Sequence, residues 1–211
     1  MNELEKLLRG LIFDSHSEEL GEELRRSHRL CEAYNDLRGD DPATETQRRA
    51  ILKELFGDQD FGDFRTMEKP IHIDNGRDMK IGRNFYSNMY FIFSGGGTVE
   101  IGDNVMIGPF CTLASGNHSL IAQERRVQKD ENGVTHSYEY GKPIKIGNDV
   151  WIASNVTICA GVTIGDGSVI GAGSVVTRDI PAGVVAFGNP CRVHRQITEA
   201  DSMYRNVKGE K

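Results

Sequence analysis

An aliphatic residue recurs at every sixth position through the second half of the chain, at Ile146, Ile152, Ile158, Ile164, Ile170 and Val176. Gly often follows it, and a small or branched residue stands four positions later, at Val150, Val156, Val162, Ser168 and Ser174. Period six fits neither a helix, at 3.6, nor a plain alternating strand, at 2. It fits a chain that runs extended for a few residues, turns at a Gly or Asn tolerating positive φ, and runs extended again. Three such units close a triangular coil, and coils stacked at the ~4.8 Å strand spacing bury a narrow apolar ladder. The pattern predicts a mainly β fold, a parallel β-helix with the aliphatic residue of each repeat pointing inward.

The same units open upstream, at Ile81-Gly82-Arg83-Asn84 and Ile101-Gly102-Asp103-Asn104, and continue through Ile107 and Leu113. From Leu113 to Ile146 the spacing is not a multiple of six, so part of the chain must leave the coil. The segment 118–143, HSLIAQERRVQKDENGVTHSYEYGKP, is polar and charged. A loop of that length inside a regular repeat is commonly functional. His118 stands at its base, where the coil still holds the backbone.

Before the coil, apolar residues fall at helical intervals: Leu4, Leu7, Leu8 and Leu11, then Leu20, Leu24, Cys31 and Tyr34. Ser15 to Glu18, SHSE, has the form of a capping box. Asp41 as N-cap, Pro42 in the first turn, Ile51, Leu52, Leu55 and Phe56 as an apolar face and Gly57 as a stop signal a further helix. The expected organisation is a helical segment over 1–60, a β-helix domain over 61–195 with its loop at 118–143, and a tail over 196–211. The helical segment is too short and too charged to stand alone, so it is expected to pack on the coil.

Composition narrows the partners. A net charge of −6 and a pI near 5.5 over 211 residues lack the basic footprint that nucleic acid or an anionic membrane requires. Glu3 and Glu5 interrupt an N-terminus that resembles neither a secretory signal nor a membrane span. A soluble, cytoplasmic protein is expected. Cys31, Cys111, Cys159 and Cys191 lack CxxC spacing, which points to reduced packing thiols rather than a zinc or disulfide framework.

Two residues carry candidate chemistry. A neutral imidazole at His118 can take a proton from an acceptor hydroxyl as that oxygen attacks an electrophile. The carboxamide of Asn88, in FYSNMY, can donate to the oxyanion that then develops. The competing readings are a solvated loop histidine and a polar turn residue. A zinc-dependent β-helix carbonic anhydrase would need several histidines on adjacent coils; His72, His118, His136 and His194 are dispersed, so no metal is expected. A non-catalytic β-helix scaffold is the other alternative, since the ladder itself needs no chemistry.

The chain resembles the maltose/galactoside O-acetyltransferase family of hexapeptide acyltransferases almost end to end. The likeness lies in LFG closing the helical segment, IGRNFYSN at 81–88, IGDNVMIGP at 101–109, GNHS at 116–119, and the run from Gly141 to Arg195 with its Trp151 motif, TRDIP turn and GNPCRV end. It implies left-handed winding, acetyl-CoA as co-substrate and a homotrimer with active sites between neighbouring β-helices. It implies that His118 is the catalytic base and that Asn88 contacts the substrate and holds the tetrahedral intermediate. Trp151 would line the coenzyme A cleft, and Ser154, Ala172, Thr177, Arg178, Arg192 and Arg195 would bind the cofactor, the arginines neutralising phosphates. The acceptor would be a small hydroxyl compound, a sugar by the resemblance; N-acetyl transfer or a xenobiotic acceptor are the chemical alternatives. On the acceptor side the chain departs from the galactoside enzymes. Ser94-Gly95-Gly96-Gly97 replaces adjacent carboxylates, Asp74 aligns with a serine, a sugar-contacting aspartate aligns with Asp14 or Ser15, and the loop after His118 is longer.

Overall fold

Extended runs of two to four residues, separated by tight turns, wind the chain into a three-faced parallel β-helix, and the computed structural model describes residues 1–39, 41–59 and 66–204. The first face stacks Thr66–Met67, Tyr86–Ser87, Met106–Ile107, Trp151–Ile152, Val169–Ile170 and Val184–Phe187 in parallel; the antiparallel strand Arg192–Gln196 closes it. The second stacks Ile71–Ile73, Phe91–Ser94, Thr112–Ala114, Thr157–Cys159 and Val175–Val176. The third stacks Met79–Ile81, Val99–Ile101, Ile144–Ile146 and Thr163–Ile164, and Ile180 bridges to Ile164 at its end.

The six-residue register places one ladder on each face. Ile107, Ile152 and Ile170 stack on the first, Phe93, Leu113, Ile158 and Val176 on the second, and Ile81, Ile101, Ile146 and Ile164 on the third, all buried. Val150, Val156, Val162, Ser168 and Ser174 are buried as well, so each repeat turns two residues inward. The two buried hydroxyls are satisfied by backbone carbonyls: Ser168 Oγ donates to Pro181 at 2.7 Å and Ser174 Oγ to Gly171 at 2.5 Å. Turns fall where positive φ was expected. Asn84, Asn104 and Asp149 adopt φ of 56°, 58° and 57°, and their side chains link in a column, Asn84 to Asn104 at 2.9 Å and Asn104 to Asp149 at 3.0 Å.

Helices α1 (Glu3–Leu8), α2 (Glu18–Asp36) and α3 (Pro42–Phe56) form the N-terminal segment. For α3 the expected signals hold: Asp41 caps the Ala43 and Thr44 N–H groups, and Gly57 ends the helix at φ 84°. The capping box at Ser15 does not form. Helix α2 begins at Glu18 after Ser17, while Ser15 Oγ donates to the Ser137 carbonyl at 3.0 Å, so a tertiary partner takes the hydroxyl that a local cap would have used. As expected, the segment packs on the coil. Cys31, Tyr34, Leu52, Leu55 and Phe56 share one core with Ile73, Phe85 and Phe93. The Tyr34 hydroxyl donates to the Met67 carbonyl, and the Asn35 carboxamide pairs both ways with the Ile71 backbone at 2.9 Å.

The excursion after Leu113 has a structure of its own. Gln128–Lys129 pairs with Thr135–His136, and Tyr138–Gly141 lies between Gly116–Asn117 and Phe13–Asp14, antiparallel to both. The proposed boundary at 60/61 and the last residues of the tail, 205–211, lie outside the described residues. Among the described residues no helix is long and apolar enough to cross a membrane.

Candidate active site

The candidate residues divide between two edges of the prism. At the edge joining the first and second faces, the N–H groups of Asn88, Gly108, Ala153 and Gly171 donate to the carbonyls of Ile107, Ile152, Ile170 and Ala186 at 2.8–2.9 Å, which stacks the four residues in a column. Ser154 and Ala172 follow one residue along, joined through the Gly173 N–H to the Ser154 carbonyl at 2.9 Å. Both side chains are small; Ser154 is half-buried and Ala172 exposed. Trp151 projects from the neighbouring face between Met106 and Val169 and is 52% exposed. Asn88 Oδ1 accepts the Met89 N–H at 2.8 Å, which leaves the NH₂ end of its carboxamide as the donor.

The edge joining the second and third faces carries Asp74, Gly95–Gly97 and Ser115–His118, with Thr177 and Arg178 two coils further up. His118 is exposed, and its ring has no hydrogen-bond partner among the described residues. A cavity of about 290 Å³ lies here, walled by Phe13, Ser15, His16, Leu20, Asp74, Gly95, Gly96 and Glu139. The helical segment, the coil corner and the returning loop thus each supply one wall.

The Gly95–Gly97 run explains itself in this corner. A Cβ on Gly96 would lie 2.5 Å from Gly116 Cα, one on Gly116 would lie 2.4 Å from the Gly95 carbonyl oxygen, and one on Gly141 would lie 1.6 Å from that of Gly96. Two coils and the loop's return strand meet backbone to backbone. Ser115, fully buried, fastens them by accepting the Gly97 N–H at 3.0 Å and donating to the Gly97 carbonyl at 2.8 Å. A side chain at Gly96 or Gly97 would collide with backbone, whereas one at Gly95 would meet only the Asn75 and Asp74 side chains, at 3.3 and 3.4 Å.

Asp14 and Ser15, expected at the acceptor, are largely engaged by the loop. Asp14 accepts the Ser137 N–H at 2.9 Å and His136 Nδ1 at 2.7 Å, and the Ser15 N–H donates to the Ser137 carbonyl at 2.8 Å. Burial works against the Asp14 carboxylate, but the Ser137 and His136 donors outweigh it and hold its pKa below the usual value. The same bond raises that of His136.

His118 and Asn88 do not meet within one chain. The second face separates their edges; its strands Phe91–Ser94 and Thr112–Ala114 run four and three extended residues, on the order of 10 Å at ~3.3 Å each. Trp151, Ser154 and Ala172 lie with Asn88; Thr177 and Arg178 lie on the edge of His118. Arg192 and Arg195 sit on the closing strand, where Arg195 forks onto Asp201 at 2.8 Å and Arg192 donates to the Cys191 carbonyl at 2.7 Å. The cysteines are free, and burial pushes the Cys31 thiol up to about 11 and raises those of Cys111 and Cys191, which fits packing groups rather than nucleophiles.

Sequence reading missed one cluster. His28 Nε2 and His72 Nε2 lie 3.1 and 3.2 Å from the same Asp74 oxygen, Oδ1, while the Gly95 N–H donates to Oδ2 at 3.0 Å. The expectation of no metal counted only the histidines beyond the helical segment, and His28 lies on α2.

Two family descriptions match the chain: "Maltose acetyltransferase hexapeptide capping motif" over residues 6–59 and "Bacterial transferase hexapeptide (six repeats)" over residues 143–178. Galactoside O-acetyltransferase of Escherichia coli K12 is 41% identical over 200 residues, covering 95% of this chain and 92% of the relative. Among solved structures, a maltose O-acetyltransferase from Clostridium difficile 630 superposes with a TM-score of 0.81 at 40% identity, over 94% of this chain and 99% of that one. A galactoside acetyltransferase in complex with coenzyme A superposes with a TM-score of 0.78 at 40% identity, over 95% and 94%.

Proposed function

The chain belongs to the maltose/galactoside O-acetyltransferase family of left-handed β-helix, hexapeptide-repeat enzymes, and on that premise we propose that it moves acetyl from acetyl-CoA directly to a hydroxyl of a sugar-like acceptor. Acetyl-CoA chemistry is the common ground of the relatives. The acceptor, the residue roles and the assembly are this chain's own case.

In the proposed reaction His118 removes the proton of the acceptor hydroxyl as its oxygen attacks the thioester carbonyl. The NH₂ group of Asn88 donates to the oxyanion of the tetrahedral intermediate. Collapse breaks the carbon–sulfur bond, and the imidazolium returns its proton to the departing thiolate. Trp151, Ser154 and Ala172 line the path of the pantetheine arm, and Thr177, Arg178, Arg192 and Arg195 meet the phosphates. Asp74 and Ser15, which line the cavity, border the acceptor, with Asp14 beside them in the chain. Because the two edges lie a face apart in one chain, His118 of one protomer works with Asn88 of its neighbour in a homotrimer. Met89, Tyr90, Met106 and Phe110 support this assembly: all are exposed beside Asn88, with the Tyr90 and Phe110 rings stacked at 4.6 Å, an apolar patch suited to a subunit contact.

The observation that carries the catalytic reading is an exposed imidazole, without a hydrogen-bond partner among the described residues, one residue past the paired strand Gly116–Asn117, where the Gly116 backbone packs on the Gly95–Gly96 cavity wall. His118→Ala is expected to lower kcat by about 10²- to 10⁴-fold and leave coenzyme A affinity nearly unchanged. Turnover equal to wild type would overturn the assignment. Coenzyme A release measured across mono- and disaccharides, with matched amines, identifies the acceptor class.

A further inference from the structure

We propose that His28, His72 and Asp74 form a site for one divalent transition-metal ion, zinc by the nature of the ligands, at the border of the acceptor cavity. Two imidazole nitrogens and a carboxylate oxygen are a borderline donor set suited to zinc, and three protein ligands leave a fourth tetrahedral position for water or a ligand hydroxyl. The three ligand atoms lie within 4.8 Å of one another.

The distances fit the edges of a tetrahedral metal site. Ligand atoms bound tetrahedrally at ~2.0 Å from zinc stand about 3.3 Å apart. Asp74 Oδ1 is 3.1 Å from His28 Nε2 and 3.2 Å from His72 Nε2, close to that edge. Charge-assisted hydrogen bonds are shorter, about 2.7–2.9 Å, and the His136–Asp14 pair of this same molecule is at 2.7 Å. Both imidazoles also turn Nε2 to one oxygen, with ring centroids 4.7 Å apart and planes inclined at 41°.

The ligands stand on rigid carriers and have outer support. His28 lies within the 19-residue helix α2, which Tyr34 and Asn35 fix to the first coil. His72 and Asp74 are alternate residues along the second face and project to the same side of it. The Gly95 N–H holds the second Asp74 oxygen at 3.0 Å, the type of outer contact that orients a metal-binding carboxylate. Asp74 also lines the cavity, so the fourth position borders the space assigned to the acceptor.

The test uses untagged full-length protein, stripped with chelator, dialysed and titrated with zinc chloride by calorimetry, with elemental analysis of the bound metal. The expected result is one zinc per chain, a zinc-dependent rise in Tm, and an affinity at least about 100-fold lower in His72→Ala and in His28→Ala. The His72 side chain is 54% exposed, so its truncation leaves the core intact. Cobalt substituted for zinc should give the visible bands of a tetrahedral site in the wild type and lose them in both variants. No bound zinc at saturation, or an affinity unchanged in both variants, would overturn the proposal. Acetyl transfer is not a readout here, so either result leaves the assignment of His118 to be judged by its own test.

Discussion

A methyl group on Gly141 would have to occupy the place of the Gly96 carbonyl oxygen, 1.6 Å away, in a corner where the three nearest atoms are all backbone. Neither side can yield without moving a coil. Gly141→Ala is therefore expected to destabilise the fold by about 3 kcal/mol or more, measured as a shift in the urea midpoint. Gly133→Ala is the control, since its Cβ meets nothing within 4 Å and only a φ of 80° opposes it, a cost of about 1–2 kcal/mol. Equal effects at the two positions would refute close backbone packing as the reason for the glycines. The inward aliphatic residues were legible because period six follows from bonding between successive coils. The purpose of Gly95–Gly97 was not, because it depends on residue 141 returning to the corner, and no local pattern records that. His28 escaped for the same reason: helical spacing describes the buried side of α2, not the coil residue that an exposed ring faces.

The excursion of the chain over residues 118–143 is tied to the helical segment by strand pairing with Phe13–Asp14, by Ser15 on the Ser137 carbonyl, and by a titratable group centred on Asp14. Asp14 takes His136 Nδ1 at 2.7 Å and the Ser137 N–H at 2.9 Å; Asp130 Oδ2 stands 3.8 Å from His136 Nε2, and the Tyr138 ring stacks on the imidazole. The folded pKa of His136 is raised, chiefly by its bond to Asp14, so its stabilisation is complete below the ordinary imidazole pKa and is lost as pH rises through the raised value. Asp14 is the reverse case. Burial opposes its charge, but its donors lower its pKa, so its share is present above the ordinary carboxylate value and is lost as pH falls through the depressed one. The loop should be held best between those limits. Hydrogen exchange of amides in 128–141, corrected for intrinsic rates, should show protection falling on the alkaline side of His136, and His136→Ala should remove that limb. A wild-type profile flat through the imidazole range would contradict the anchor. Asp41-Pro42 and Gly57 could be read from sequence because their bonds are local. Ser15 could not, since its partner is Ser137 on the far side of the loop.

At the scale of the molecule, spacing gave a coil and a break in it, but neither the hand of the winding nor the number of chains. Those came from resemblance, and the hexad pattern is silent on them because inward ladders look alike in either hand and in any assembly. The separation of His118 and Asn88 supplies a direct test of assembly. Chains carrying His118→Ala and chains carrying Asn88→Ala should each be nearly inactive, the second by about 10²- to 10³-fold. Co-expressed in equal amounts, they should assort at random into the proposed closed rings of three. Every mixed ring then contains one contact where an intact His118 faces an intact Asn88 across the subunit boundary, so activity should recover to about a quarter of wild type. A site confined to one chain would recover nothing, because no single chain in the mixture holds both groups. The recovered activity should rise and fall with the fraction of mixed trimers, counted by native mass spectrometry. Recovery without mixed trimers, or mixed trimers without recovery, would exclude the shared site.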